Sequence, residues 1–131
     1  MAQTTVLLIE DNVLNVRLAE TVLTNAGYRV VVALTAEQAL PMFHAHQPDV
    51  VLMDIQLPRM DGLTALQYFR TDPQARATKI IAVTAMAMKG DREKMLASGF
   101  DGYVAKPYLE QQLLSAVRAA VGDPRKGDAP A

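Results

Sequence analysis

Five short runs rich in Val, Ile and Leu recur along the chain, at residues 6–9, 29–33, 50–53, 80–83 and 103–105. Between them lie stretches whose apolar residues fall at three- and four-residue steps, as in Leu14, Leu18, Ala19, Val22, Leu23 and Ala26, and later Leu113, Val117, Ala120 and Val121. Near-continuous apolar runs of this length read as strands buried on both faces, and the spaced pattern reads as amphipathic helix. Strands that alternate with helices imply a parallel sheet, because the right-handed crossover between parallel neighbours needs a helix. The expectation is a doubly wound α/β sandwich of three layers built from five βα units. Half of the 131 residues are hydrophobic, enough for one sizeable core. The structured unit is expected over residues 1–121, with residues 122–131, small, polar and proline-containing, as a frayed tail.

Local signals sharpen the boundaries. Gly27 and Gly99 sit where the first and fourth helices should end in a left-handed residue, and Thr35 with Gln38 resembles a capping box opening the second helix. Pro41 falls well inside that second helix, removes a backbone hydrogen bond and predicts an irregular helix there. No internal repeat is visible, and no linker long enough to tether a second domain.

Charge and composition narrow the function. A formal net charge of -1 argues against direct binding to nucleic acid, which rests on neutralising phosphates. No cysteine is present, so disulfides, thiol chemistry and thiolate metal sites are excluded. Charges interrupt every apolar stretch before the roughly 20 residues needed to span a bilayer. The first residues lack a basic region followed by a long apolar run and cleavage site, so a cytoplasmic protein without membrane contact is expected.

In open α/β sheets ligands bind beyond the carboxyl ends of the strands. Applied here, that rule selects Glu10 and Asp11 after the first strand, Asp54 at the end of the third, Thr84 at the end of the fourth, and Lys106 with Pro107 after the fifth. Two carboxylates about 4 Å apart repel by roughly 4 kcal/mol at an effective dielectric of 20. Three in one pocket therefore argue for a bound cation, and an all-oxygen donor set suggests Mg²⁺, with Mn²⁺ as the other fit. A carboxylate is a competent nucleophile toward an activated phosphoryl group once the oxygens gaining charge are neutralised, which Lys106 and a divalent ion would do. Thr84 would offer its hydroxyl to a phosphate oxygen on Asp54 and draw its loop inward, a switch element.

The segments EDN, LMDIQLPRMDG, AVTAMAMKGD and YVAKP stand in the order and spacing of response-regulator receiver domains, and the chain resembles that family over residues 5–121. Through EDNVLN, MDIQLP and AMKGD it is most similar to the single-domain regulators of the cell-division DivK type. The resemblance implies the flavodoxin-like strand order 2-1-3-4-5 and phosphorylation on Asp54. It places the metal on Glu10, Asp11, Asp54 and the backbone carbonyl of Gln56, and Lys106 on the phosphoryl group. It assigns a switch pair to Thr84 and Tyr103 and a cis peptide between Lys106 and Pro107. The implied phosphodonor is a sensor histidine kinase or a phosphotransfer protein. The implied target is a protein bound on the face formed by the fourth and fifth helices, with the chain a monomer or weak dimer.

Other readings compete with these. A flavin site needs a Ser/Thr/Gly-rich loop after the first strand, which Glu10 and Asp11 oppose, and a P-loop needs a glycine-rich loop with lysine that follows no strand here. A Mg-dependent phosphohydrolase with an aspartate nucleophile shares the acids, Thr and Lys. It needs a second acid two residues on, where Gln56 stands, so a phosphoryl acceptor rather than a turnover enzyme is expected. A constitutive binding module with a vestigial pocket would not keep the full set. Asp61, before Gly62 and a helical pattern, reads as an N-cap rather than a ligand. His44 and His46 read as solvated, and Lys89, Asp91, Arg92, Glu93 and Lys94 as an exposed helix face. Met86 and Met88 suit either an ordinary loop or an adaptable binding surface, and Met86 with Gln56 would flank the path of an attacking water.

Overall fold

In a strand, successive side chains point to opposite faces, and in this chain both sets are apolar. The structure, a computed structural model, describes residues 3–57, 60–85 and 90–124. Within them lie β1 (Thr5–Ile9), β2 (Arg29–Ala33), β3 (Val50–Asp54), β4 (Lys79–Thr84) and β5 (Gly102–Ala105). They form one parallel sheet in the order β2-β1-β3-β4-β5, as expected. The intervening helices are α1 (Val13–Asn25), α2 (Ala36–His46), α3 (Gly62–Thr71), α4 (Asp91–Ala97) and α5 (Glu110–Val121). On one face Leu7, Ile9, Val51, Met53 and Ile80 pack against Phe43 of α2, Leu66 and Phe69 of α3, and Met95 of α4. On the other, Val6, Leu8, Leu52, Ile81 and Val83 meet Leu23 of α1 and Leu113 and Val117 of α5. The alternation thus sorts the buried apolar residues of the strands into two cores. None of the helices among the described residues is long and apolar enough to cross a membrane.

Helix starts follow their caps. Asn12, Thr35 and Asp61 accept from the backbone N–H groups of Asn15, Gln38 and Thr64 respectively. Asp61 is the expected N-cap, and those bonds hold its carboxyl below the usual range. The Thr35 box is displaced by one residue, because the Gln38 side chain accepts from the N–H of Leu34 rather than that of Thr35. Gly27 and Gly99 adopt the expected positive φ, at 104° and 116°.

Two expectations need correction, on α1 and at His44. Leu14 and Leu18 do not join the buried stripe of α1: they are 76% and 54% exposed, and Ala19, Val22 and Leu23 are buried instead. The second helix runs from Ala36 to His46 with Pro41 inside it, and Pro41, which has no backbone N–H to donate, is exposed. His44 is not simply solvated, since its ring nitrogens lie 2.8 Å from Gln74 Oε1 and 2.9 Å from Asp72 Oδ2, joining α2 to the α3–β4 loop. Just past α5, the Tyr28 hydroxyl donates to the carbonyl of Gly122, and Pro124 lies against Gly27. The rest of the expected tail, residues 125–131, lies outside the described residues, as do Met86, Met88 and Lys89.

Candidate functional site

Register brings the selected residues together. β1 lies beside β3, with Ile9 opposite Met53, so Glu10 and Asp54 emerge next to one another at the same edge. Both continue the parity of Leu8 and Leu52 and so point to the α1/α5 side of the sheet. Glu10 and Asp54 are buried, whereas Asp11 is exposed. Lys106 follows β5, and its backbone N–H donates to the carbonyl of Thr84 at 2.8 Å, tying the end of β5 to that of β4. The Lys106–Pro107 peptide is cis, as expected.

The Lys106 ammonium lies 3.2 Å from both carboxylate oxygens of Glu10 and 3.2 Å from Asp54 Oδ2. Asp54 Oδ1 accepts from the backbone N–H of Gln56 at 2.9 Å. Glu10 Oε1 also accepts from the side-chain amide of Asn15, at 2.7 Å. Asn15 and the Gln56 N–H were not singled out in the sequence. The signal for Asn15 was present in EDNVLN, where the amide stands one helical turn after the cap. Burial, with Asp54 alongside, pushes the Glu10 carboxyl up to about 7, against the opposing pull of Asn15 and Lys106.

One oxygen each from Glu10, Asp11 and Asp54 falls within 4.8 Å of the others. A hard, all-oxygen set of this kind, with one acid raised by burial and by its neighbour, fits a divalent cation such as Mg²⁺. Gln56, whose carbonyl is the expected further ligand, is an exposed residue that reaches the site through its backbone N–H bond to Asp54 Oδ1.

Thr84 is fully buried at the end of β4. It shares the parity of Ala82, which lies opposite Tyr103, while Thr84 itself lies opposite Ala105. Thr84 and Tyr103 therefore project on the α2/α3/α4 side, against which Tyr103 is partly buried. Burial pushes the Tyr103 hydroxyl pKa up. Glu10, Asp54 and Lys106 lie on one side of the sheet edge, and the threonine and tyrosine on the other.

The two ends of the connection between β3 and α3 lie close together. The N–H of Gly62 donates to the carbonyl of Ile55 at 2.9 Å, and a Cβ at Gly62 would stand 2.8 Å from Ile55 Cα and 3.2 Å from the carbonyl oxygen of Asp54. Glycine here permits close backbone approach.

Comparison with known proteins agrees with this geometry. A family model described as the response regulator receiver domain matches residues 6–118. The polar-differentiation response regulator DivK of Brucella ovis is 36% identical over 118 residues, covering 90% of this chain and 96% of that protein. Among solved structures, a putative response regulator from Chloroflexus aurantiacus superposes with a TM-score of 0.84 at 30% identity, covering 89% of this chain and 96% of that one. The receiver domain of a sensor histidine kinase from Pseudomonas aeruginosa, solved with magnesium coordinated in its active-site cleft, superposes at 0.83 with 36% identity, covering 93% and 99%. An acid pocket at the carboxyl rim of a 2-1-3-4-5 sheet, matched in sequence over nearly the whole described chain, places the protein in the response regulator receiver domain family.

Proposed function

We propose that the chain accepts a phosphoryl group on Asp54 from the phosphohistidine of a sensor kinase or phosphotransfer protein, and that the modified form binds a protein target through the α4/α5 face. The observation that carries this reading is the Lys106 ammonium, 3.2 Å from Asp54 and from Glu10, at the sheet edge where Asp11 completes an acid set. Glu10, Asp11, Asp54 and the Gln56 carbonyl would hold Mg²⁺ (or Mn²⁺), which supplies neutralisation of phosphoryl charge when bound. An oxygen of Asp54 attacks phosphorus, the P–N bond to the donor imidazole breaks, and its electron pair returns to the ring nitrogen. Lys106 faces the reacting carboxylate from the β5 side and offers its N–H groups to the incoming oxygens.

Val13, Leu14 and Leu18 on α1 and Leu109 at the start of α5 are exposed apolar residues that follow Asp11 and Lys106 closely in the chain. They supply an apolar collar on which a donor can seat. Thr84 and Tyr103 share the face that carries α4, which suits a coupling from the phosphoryl group to that helix. Gln56, two residues beyond Asp54, offers no acid to protonate a leaving alcohol, so the chain acts as an acceptor rather than a turnover phosphohydrolase.

The test is incubation with Mg²⁺ and acetyl phosphate followed by intact mass. A gain of about one phosphate per chain, absent in Asp54→Asn and without Mg²⁺, is expected. Sustained release of many phosphates per chain would favour the phosphohydrolase, and an unmodified parent would remove the proposal.

A further inference from the structure

A helix that opens with a capping box usually turns its N3 glutamate or glutamine back onto the N–H of the cap residue. Counting from the cap Asn12, Asn15 occupies N3 of α1, yet its side-chain amide goes to Glu10 Oε1 at 2.7 Å. Its backbone N–H meanwhile closes the cap by donating to Asn12 Oδ1 at 3.1 Å. The first turn of α1 is thus fixed by Asn12, and the fixed turn aims Asn15 at the buried acid. A glutamate at N3 would set a further carboxylate against Glu10, whereas the asparagine amide sets a neutral donor there.

The two partners of Glu10 differ in kind. Lys106 is shared among three oxygens at 3.2 Å each, so its hold on any one of them is divided. Asn15 makes one shorter bond to one oxygen from a rigid helical turn. When Lys106 turns toward a phosphoryl group on Asp54, Asn15 is the partner that stays. We infer that Asn15 is a positioning residue, which holds the Glu10 carboxylate facing the metal pocket both before and after Lys106 is drawn to the phosphoryl group. The inference rests on the reading of the acid pocket as a metal site.

The experiment is a Mg²⁺ titration of the whole chain, followed by amide NMR shifts at neutral pH, in the parent, Asn15→Leu, Glu10→Gln and the double variant. Loss of a residue that orients a metal ligand typically weakens binding about tenfold or more, and that is expected for Asn15→Leu. On the Glu10→Gln background the same substitution should change affinity less than about twofold, because its effect runs through Glu10. Should Asn15→Leu fail to fold, Asn15→Ala carries the same comparison. Parent-like affinity in the Asn15 variant, or an equal loss on both backgrounds, overturns the inference while leaving the metal site intact. Failure of the parent itself to bind Mg²⁺ overturns the reading of the pocket, and the inference with it.

Discussion

Glu10 is 3% exposed, beside a second buried acid, and its carboxyl is pushed up to about 7 chiefly by that burial. In the unfolded chain the same group ionises near 4.5. Between these values the folded chain holds a proton that the unfolded chain has lost. The stability this contributes is fully present at lower pH and is lost as pH rises through the folded value. Without divalent ions, raising the pH from about 5 to about 7.5 should therefore lower unfolding free energy by on the order of 2 kcal/mol. Denaturant unfolding at the two pH values checks this, and Glu10→Gln should flatten the dependence and stabilise the metal-free protein near neutrality. A wild-type slope retained in Glu10→Gln would place the titration elsewhere. Asp11→Asn should stabilise the metal-free chain less, since Asp11 is exposed and sheds less desolvation. It should still impair Mg²⁺-dependent phosphorylation of Asp54.

Elements divide into those whose placement follows from short-range pattern and those that depend on tertiary partners. The strands were legible because a parallel sheet buried on both faces demands unbroken apolar runs, and the acids because such sheets expose their chemistry at strand ends. Helix α1 was legible as a helix but not in its orientation. At about 100° per residue, Leu18 lies roughly 100° and Leu14 roughly 140° from Ala19, outside the arc that holds Val22, Leu23 and Ala26, yet spacing alone admits them. Asn15 and His44 were missed for a related reason, since their partners lie across the fold or before the cap. The same limit hid Arg70, at the end of α3. It donates to the carbonyls of Arg76, Thr78 and Gly99 and pairs with Asp101, which in turn accepts from the N–H of Ile80. One guanidinium thus joins α3, the start of β4 and the turn after α4. Arg70→Met should destabilise the protein by about 2–4 kcal/mol, as expected when several charge-assisted bonds lose one shared donor. Denaturant midpoints measure it, and a change within about 0.5 kcal/mol would mark the network as dispensable. At the opposite end of α3, Gly62→Ala would press a methyl against backbone atoms of Asp54 and Ile55 rather than a yielding side-chain tip. It should cost about 1–3 kcal/mol and slow phosphorylation by acetyl phosphate, because the strand end that carries Asp54, the proposed acceptor, must shift.

Across the whole molecule the sheet is the rigid part and the helices differ in how firmly they are attached. Helices α1, α2, α3 and α5 each bury two or more residues, while α4 buries Met95 alone. Its amino end starts at Gly90, with φ of 93° and no side-chain cap bond. Its carboxyl end is anchored, through Phe100 in the core and the Arg70 bond to Gly99. A helix fastened at one end and weakly capped at the other can pivot about the fastened end, and here the loose end follows the segment that leaves Thr84. The sheet delivers Thr84 and Tyr103 to the same face as α4, so a phosphoryl group that recruited Thr84, as proposed, would act on the loosely held end. Local opening costs least where buried contacts are fewest, so amide hydrogen exchange over residues 91–95 should be the fastest within the five helices of the described residues. Phosphorylation of Asp54 should slow exchange there by about tenfold while leaving Ser98 to Asp101 unchanged, and Thr84→Ala should remove that protection. Exchange in α4 already as slow as in α3 before phosphorylation would show that the helix is not the mobile element, and a uniform change along it would rule out a pivot at Gly99.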